Sequence, residues 1–412
     1  MHRVLWVSLV LLVGGTRTTA TEWPLLAGGL SGDFRMKALP GAPPINWRVE
    51  AVAESAEENR ITLSAQAQGL VMRATVILPR DGSRGTWRIL EGHLDISEWG
   101  RILKNSGFLS EMPGDLQLKG ELQFAGKGTM LDSQFDGEVS AKLVGGSISS
   151  VAQEWSVQRL DFTAVLNLAE GASLIESLRL NSPQVEVQGF VLENLEVSAV
   201  GENLHHLRVN TAIVALFGGR VGVRPFTFDL LNPEMRVMAE LRDVALDQLA
   251  SLVPKALSAA RGRLSGSWEI GWSAALGFQP GTGTLRIARD SSSTLLMAAS
   301  PNFLTQHVPA KIEWVPAFFG PIGRWLAVNH PAYDTLRQIE MGKMALGVDS
   351  MEVSLYPDGR DGKVSARVAV TARPADSRAV EEVSFELNVT GPLKEVLLLG
   401  TDKRVKIGVK SK

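Results

Sequence analysis

Six histidines and a few neighbouring carboxylates are the side chains of this sequence that could bind a metal ion or transfer protons. His205 and His206 are adjacent, and adjacent residues of a strand point to opposite faces, so they would not share a metal ion. Asp95 and Glu98 have the spacing of a paired acid, but they begin a predicted helix, where acidic side chains favour the helix dipole. These side chains therefore indicate local structure rather than a reaction centre.

Recognisable catalytic motifs are missing from the sequence, which has no HExxH, no GxSxG, no P-loop and no EF-hand loop. The glycines of "GGRVGV" (218–223) precede a predicted strand, whereas a phosphate-binding loop leads into a helix N-terminus. We therefore predict that the protein is not an enzyme and that it has no catalytic residue, no metal ligand and no cofactor.

The composition and the N-terminus indicate an exported protein. The formal net charge of −2 over 412 residues gives no electrostatic reason to expect nucleic acid as a partner. Residues 1–20 combine a basic start, the apolar run "VLWVSLVLLVGG" and a small-residue site, which predicts a cleaved signal peptide, with a short uncleaved anchor as the alternative. No later run approaches the length of a transmembrane helix, and there is no cysteine to form disulfides or to carry a lipid.

Most of the remaining chain alternates between apolar and polar residues with period two. In "DLQLKGELQF" (115–124) the leucines and Phe124 share one face, which predicts one half-buried antiparallel strand, or two strands joined near Gly120. Turn signals such as "PRDGSRG" and "LNPE" separate these runs. We expect a mainly β fold with an elongated, strongly curved antiparallel sheet, an apolar groove and a few short amphipathic helices.

Helical periodicity is confined to three places. It predicts helices at 94–108 and 244–260 and short helices within 303–336. Asp95 and Gly114 of the first helical segment match Asp243 and Gly262 of the second at one offset, which predicts two divergent copies of a strand–helix–strand unit. The predicted organisation is a signal peptide at 1–20, an N-terminal β region at 21–90, repeated units at 91–300, a helical insert at 301–340 and C-terminal strands at 341–412.

Two architectures satisfy this pattern of strands. In a closed sandwich the apolar faces meet, whereas in an open curved sheet they line a groove that needs an apolar occupant. Acyl chains suit such a groove because each buried methylene contributes about 0.8 kcal/mol without a polar partner. The residues predicted to line it are Leu116, Leu118, Leu122, Phe124, Met235, Val237, Leu241, Val364, Val368, Val370, Val383, Phe385, Leu387 and Val389.

The segments "ELRDVALDQLASL", "ARGRLSGSWEI" and "GTGTLRI", together with the closing run "VSFELNVTGPLKEVL", resemble the YdbH-like proteins of the AsmA and TamB superfamily. The resemblance covers residues 90 to 400 and consists of degenerate Gly, Leu and Asp patterns. It implies a β-groove in the Gram-negative periplasm that moves phospholipids between the inner and outer membranes. This chain departs from the family in being shorter and in starting with what reads as a cleavable signal.

The resemblance also implies partners. These are phospholipids and the two membranes. Separately, an open edge strand invites strand addition by a small outer-membrane partner, and the lysine-rich "DKRVKIGVKSK" (402–412) is the candidate edge. The alternatives for these lysines are protection of the edge against aggregation and contact with anionic headgroups. The alternative function is a scaffold that assembles outer-membrane proteins, and the second alternative is a secreted β-rich carbohydrate-active enzyme. The lipid hypothesis requires a continuous apolar face, whereas a glycosidase requires paired acids in a polar cleft.

Overall fold

The computed structural model describes most of the chain downstream of the predicted signal peptide, which itself lies outside the described residues. The described ranges are 29–35, 42–53, 58–81, 83–105, 114–131, 134–169, 172–187, 190–201, 203, 206–230, 232–250, 257–273, 275–287, 293–297, 304–312, 328–357, 364–391 and 406–411.

The fold is mainly β, as predicted. Of the strands that the structure describes, twenty-three belong to one antiparallel sheet that is not closed into a barrel, and two more form a separate two-stranded sheet. The strands are β1 (Leu30–Phe34), β2 (Ile45–Ala53), β3 (Glu58–Ala67), β4 (Leu70–Pro79), β5 (Gly85–Asp95), β6 (Gln117–Lys119), β7 (Glu121–Leu131), β8 (Gln134–Ser150), β9 (Trp155–Ala169), β10 (Ala172–Val187), β11 (Phe190–Gly201), β12 (His206–Leu216), β13 (Gly219–Val223), β14 (Phe226–Asp229), β15 (Glu234–Ala245), β16 (Leu257–Arg261), β17 (Arg263–Ser273), β18 (Gly277–Ile287), β19 (Thr294–Met297), β20 (Lys311–Ile312), β21 (Val328–Asn329), β22 (Leu346–Leu355), β23 (Val364–Pro374), β24 (Val383–Thr390) and β25 (Lys406–Ser411).

Helices are few and short in the described part of the chain. They are α1 (Ile96–Asn105), α2 (Leu246–Ala250), α3 (Pro331–Glu340) and one 3₁₀ turn (Thr305–His307). The prediction of a helix through residue 260 is wrong at its C-terminal end. Residues Leu257–Arg261 form β16, in which Ala259 pairs with Leu296 of β19, because tertiary strand pairing overrides local helical periodicity there.

The chain divides into two compact units. The first unit contains residues 1–213 and 225–234, and the second contains 214–224 and 235–412. In the first unit β1 to β5 pair in order, β5 pairs with β7, and β7 to β11 pair in order, always antiparallel. In the second unit β17, β18, β22, β23, β24 and β25 form a continuous antiparallel ladder.

Two strand–helix–strand segments, one in each unit, have the same pattern of backbone hydrogen bonds. The N–H of Ile96, at the start of α1, donates to Gly120 O at 3.0 Å, and that of Leu246, at the start of α2, donates to Gly262 O at 3.0 Å. Both glycines have φ values that other residues rarely adopt, +134° and +144°. These contacts align Gly262 with Gly120, whereas the sequence offset aligned it with Gly114.

Candidate functional site

The antiparallel registers of the first unit place one uninterrupted row of apolar side chains across eight strands. Each member lies directly opposite the next on the neighbouring strand, so all members share a face. This apolar row consists of Ala67, Leu70, Leu94, Leu122, Leu143, Phe162, Leu180 and Val197. Leu143 is buried and the other seven are half-buried, so part of their apolar surface is accessible to a ligand.

The residues one position away form a second row on the opposite face. This polar row consists of Gln66, Val71, His93, Gln123, Lys142, Thr163, Arg179 and Ser198. Val71 is its single apolar member, and most of the row is exposed. Because the side-chain period of a strand is two, the contrast between the rows shows that this part of the sheet has one apolar face and one hydrated face.

The predicted lining residues of the first unit lie on or near the apolar row. Leu122 belongs to it, and Phe124 lies in the next row, opposite Ala141. Leu118 pairs with Ile148 in β6, and Leu116 immediately precedes that strand. All four side chains are half-buried. The segment forms two strands, and the break between them is Gly120.

Trp87 is a member of this face that the sequence analysis did not identify. Its indole lies against Gly126, Gly128 and Gly137, where an added Cβ would come within 2.9, 2.7 and 2.9 Å of ring atoms. Its Nε1–H donates to two carbonyls, Thr129 O at 3.1 Å and Asp136 O at 3.2 Å. The glycines at alternate positions of β7 were the available signal, because such glycines mark a close approach to the backbone.

Helix α1 packs at one end of the same face. Asp95 caps the helix by accepting hydrogen bonds from Ser97 N at 2.8 Å and Glu98 N at 3.4 Å. The helix buries Trp99 and Ile102 in a cluster with Ile45 and Ala65. The apolar-row residues Leu70 and Leu94 pack against this cluster as well, so α1 covers one end of the row.

In the second unit the predicted lining residues are mostly core residues. Val370, Phe385 and Leu387 belong to one cluster with Ile339 of α3 and with Leu304, which immediately precedes the 3₁₀ turn. Phe385 is only 2% exposed. In the conformation described here, these side chains pack against other parts of the protein.

The remaining predicted residues of the second unit vary in burial. The buried ones are Val237, Leu241, Val383 and Val389, and the half-buried ones are Met235, Val364 and Val368. Val368 lies opposite Leu387, but a register shift places Val364 opposite Thr390, outside the apolar rows of the neighbouring strands.

A buried carboxylate joins α3 to the start of the 3₁₀ turn in the second unit. Glu340, the last residue of α3, is 3% exposed and accepts hydrogen bonds from the backbone N–H groups of Leu304 and Thr305, the latter at 2.8 Å. It also accepts from the Thr305 hydroxyl at 3.2 Å. These bonds satisfy the carboxylate, so Glu340 acts as a structural clamp.

The ionisable groups with shifted pKa values also have structural partners. The backbone N–H of Ala152 and then the Ser150 hydroxyl lower the pKa of the Asp115 carboxyl. A hydrogen bond from Arg224, followed by one from Arg242, lowers the pKa of Glu240. Within the described ranges, no three His, Asp or Glu side chains lie close enough to hold a metal ion.

The arrangement thus offers an apolar surface rather than a reactive centre, and no helix that the structure describes is long and apolar enough to cross a membrane. The family model described as "YdbH-like: Intermembrane phospholipid transport protein YdbH" matches residues 18–303, more than half of the chain. The chain belongs to the YdbH-like family. The matched range contains every strand that carries the apolar row of this YdbH-like chain.

Family membership supports phospholipid transport between membranes and implies a location in the cell envelope. The YdbH-like family is one of transport proteins, which are generally not enzymes. Comparison with individual curated proteins gives no significant match.

Proposed function

We propose that this protein binds phospholipid acyl chains on the apolar face of its first unit and passes the lipids between the inner and outer membranes, with no chemical step. The observation that carries the proposal is the apolar row, which crosses eight strands without one polar side chain. Seven strand spacings of about 4.8 Å make the row about 34 Å long, while one lipid tail covers about half of a 30 Å bilayer core.

The physical chemistry of the apolar row favours movement along the sheet. Each buried methylene contributes about 0.8 kcal/mol wherever it contacts apolar surface, so neighbouring positions bind an acyl chain about equally well. The half-buried Leu122, Phe162 and Leu180 provide such surface on three strands. A groove built on this face would hold acyl chains and leave the headgroup in water.

Only part of the predicted lining belongs to the proposed path. Leu116, Leu118, Leu122 and Phe124 are half-buried beside or within the apolar row, and we assign them to lipid contact. The core residues of the second unit, such as Phe385, are buried in one cluster with Ile339 of α3. We propose that they stabilise the fold.

Photo-crosslinking tests the proposal with matched neighbours. A benzophenone amino acid would be placed at Leu122 or Phe162, and at Gln123 or Thr163 as controls one residue away on the opposite face. We expect phospholipid adducts by mass spectrometry at the first pair only. Equal adducts at both pairs, or none, would contradict the proposal, and peptide adducts at Leu122 would favour the outer-membrane assembly function.

We also propose that an outer-membrane partner adds a strand at the C-terminal edge. Strand β25 is the last strand that the structure describes, and it pairs with β24 from Phe385–Ser411 to Thr390–Lys406. A photo-crosslinker at Lys410 should give one discrete crosslinked protein in envelope preparations. The same group at Lys142, an exposed member of the polar row, should not, and the same product at both positions would rule out a specific contact at this edge.

A further inference from the structure

Two buried tryptophans of the first unit differ in the pairing of their indole N–H groups. Trp87 is 5% exposed and donates to two backbone carbonyls. Trp99 of α1 is 7% exposed, yet its Nε1–H has no hydrogen-bond partner in the part of the chain that the structure describes. A buried donor left unpaired destabilises the structure by about 1–3 kcal/mol, so Trp99 requires an explanation.

The fold itself does not require a donor at this place. Helix α2 begins with the same backbone contact as α1, since Leu246 N and Ile96 N both donate to a glycine carbonyl. Counted from these residues, the position that corresponds to Trp99 is Leu249, which has no N–H on its side chain. A strand–helix–strand segment of this kind therefore forms with a purely apolar side chain here.

The surroundings of Trp99 limit which acceptor could pair with it. Its cluster contains Ile45, Ala65 and Ile102, with Leu70 and Leu94 of the apolar row packed against it. A phosphate would lose its hydration in such a cluster at a high free-energy cost. The hydrophobic side chains of this cluster carry no oxygen or nitrogen acceptor for the indole N–H.

We infer that the Trp99 N–H donates a hydrogen bond to an ester carbonyl oxygen of a phospholipid that enters the apolar row beneath α1. An acyl ester fits because it carries an uncharged acceptor directly attached to an apolar chain. This inference rests on the proposed function and names the chemical group that the face recognises. Trp99 is then the polar anchor of an otherwise apolar site.

Helix α1 has to lift for the ester to reach Trp99, which requires the release of some of its attachments. Its start is fixed by the Asp95 cap and by the bond from Ile96 N to Gly120 O. Its end is held by Lys104 Nζ, which donates to Gly114 O in an exposed bond, and by the packing of Ile102. The closed helix leaves one donor unpaired, whereas the lipid-bound helix pairs it.

The test uses the full-length protein and two lipid probes whose hydrocarbon tails have equal length. These are a diacyl phosphatidylethanolamine and its dialkyl-ether analogue, each in mixed detergent micelles. An ester–indole hydrogen bond predicts that the wild type binds the diester about three- to ten-fold more tightly than the diether. Trp99→Phe should bind both equally, and its Tm without lipid should fall less than that of Trp87→Phe, because both substitutions leave a cavity but Trp99→Phe removes a donor that has no partner in the described part of the chain.

Trp87→Phe is the matched control. It leaves two backbone carbonyls without their indole donor, so its Tm should fall while its preference for the diester persists. If Trp99→Phe does not fold, 3-benzothienylalanine at position 99 keeps the ring size and removes only the N–H.

The two possible failures are distinguishable. A wild-type chain that binds both lipids equally, or a position-99 variant that keeps the diester preference, overturns the inference and leaves the proposed function intact. A wild-type chain that binds neither lipid overturns the proposed function and the inference together.

Discussion

The two units carry the same kind of alternating strand but differ in how their apolar faces are covered. In the first unit seven of the eight apolar-row residues are half-buried, and the described core is split into clusters of four and five buried residues. In the second unit one cluster joins 19 buried residues from β13 to β24 and from the helical insert. The same sequence pattern therefore produces an accessible face in one unit and a closed core in the other.

This difference indicates that packing from outside the sheet, rather than the alternation of the strands, sets how deeply an apolar face is buried. Leu122 and Phe385 both lie on the apolar side of an alternating strand, yet Leu122 is half-buried whereas Phe385 belongs to a buried cluster that also contains Ile339 of α3. The proposed functional contrast between the units, lipid contact in the first and fold stabilisation in the second, depends on this difference in packing. Changes that act on one face and not the other test the contrast directly.

The largest expected effect is on the buried phenylalanine. We expect Phe385→Ala to lower the free energy of unfolding by about 3–5 kcal/mol, because it leaves a cavity in a packed core. Phe124→Ala, at a half-buried position of the first unit, should lower it by about 1–2 kcal/mol. Denaturant unfolding followed by tryptophan fluorescence measures both variants, and equal losses would contradict the contrast between the units.

Removing the clamp of the second unit is expected to have the next largest effect. Glu340→Ala leaves the N–H groups of Leu304 and Thr305 without an acceptor, which should reduce stability by about 2–3 kcal/mol. It should also raise the binding of a hydrophobic dye, because α3 and the 3₁₀ turn are no longer held together. Gln338→Ala, at an exposed position of the same helix, is the control. If both variants bind the dye like the wild type, Glu340 does not hold α3 against the 3₁₀ turn.

The strands, and which of their residues lie on the same face of the sheet, could be predicted from the sequence. The alternation in "DLQLKGELQF" and "VSFELNV" depends only on neighbouring residues. The depth of burial could not be predicted, since the cluster that buries Phe385 also contains residues distant in sequence, such as Val221 and Ile339. The predicted C-terminal end of the helix at 244–260 was wrong because the strand pairing of Ala259 with Leu296 is a long-range contact. Trp87 was missed because its partners, Gly126, Gly128 and Gly137, lie on other strands.

A smaller effect is expected at the cap of α1 in the first unit. Asp95→Ala should lower stability by about 1 kcal/mol, and Asp95→Asn by much less, because asparagine also caps helices. Hydrogen bonds from the Ser97 side chain, and then from the backbone of Ser97 and Glu98, lower the pKa of Asp95.

The lowered pKa of Asp95 fixes the pH dependence of this effect. The contribution of the carboxylate is complete above the ordinary aspartate pKa of about 4 and is lost as the pH falls through the lower pKa of the folded state. Urea unfolding of the wild type and Asp95→Ala should therefore differ by a constant amount near neutral pH and converge in acid. A gap that widens in acid would contradict the cap.

The smallest effect is expected on the polar faces, where the units should behave alike. Arg286 and Glu352 of the second unit form an ion pair at 2.9 Å, and Arg73 and Glu91 of the first form one at 3.5 Å. Because these side chains are well exposed, Arg286→Ala and Arg73→Ala should each change stability by about 0.5 kcal/mol or less. Thermal melts at low and high salt measure this, and a large loss in one unit alone would show that its polar face is also specialised.

The register of the apolar row limits how this protein can change in length during evolution. Deleting one residue from a strand such as β8 would turn residues such as Glu138 and Lys142 toward the apolar face, or Leu143 toward the hydrated face. Insertions should therefore occur as pairs of residues, as whole hairpins, or at bulges. Leu90 marks one such place, because Glu91 pairs with Arg73 and Ile89 with the adjacent Ala74, so one extra residue is accommodated and the alternation continues beyond it.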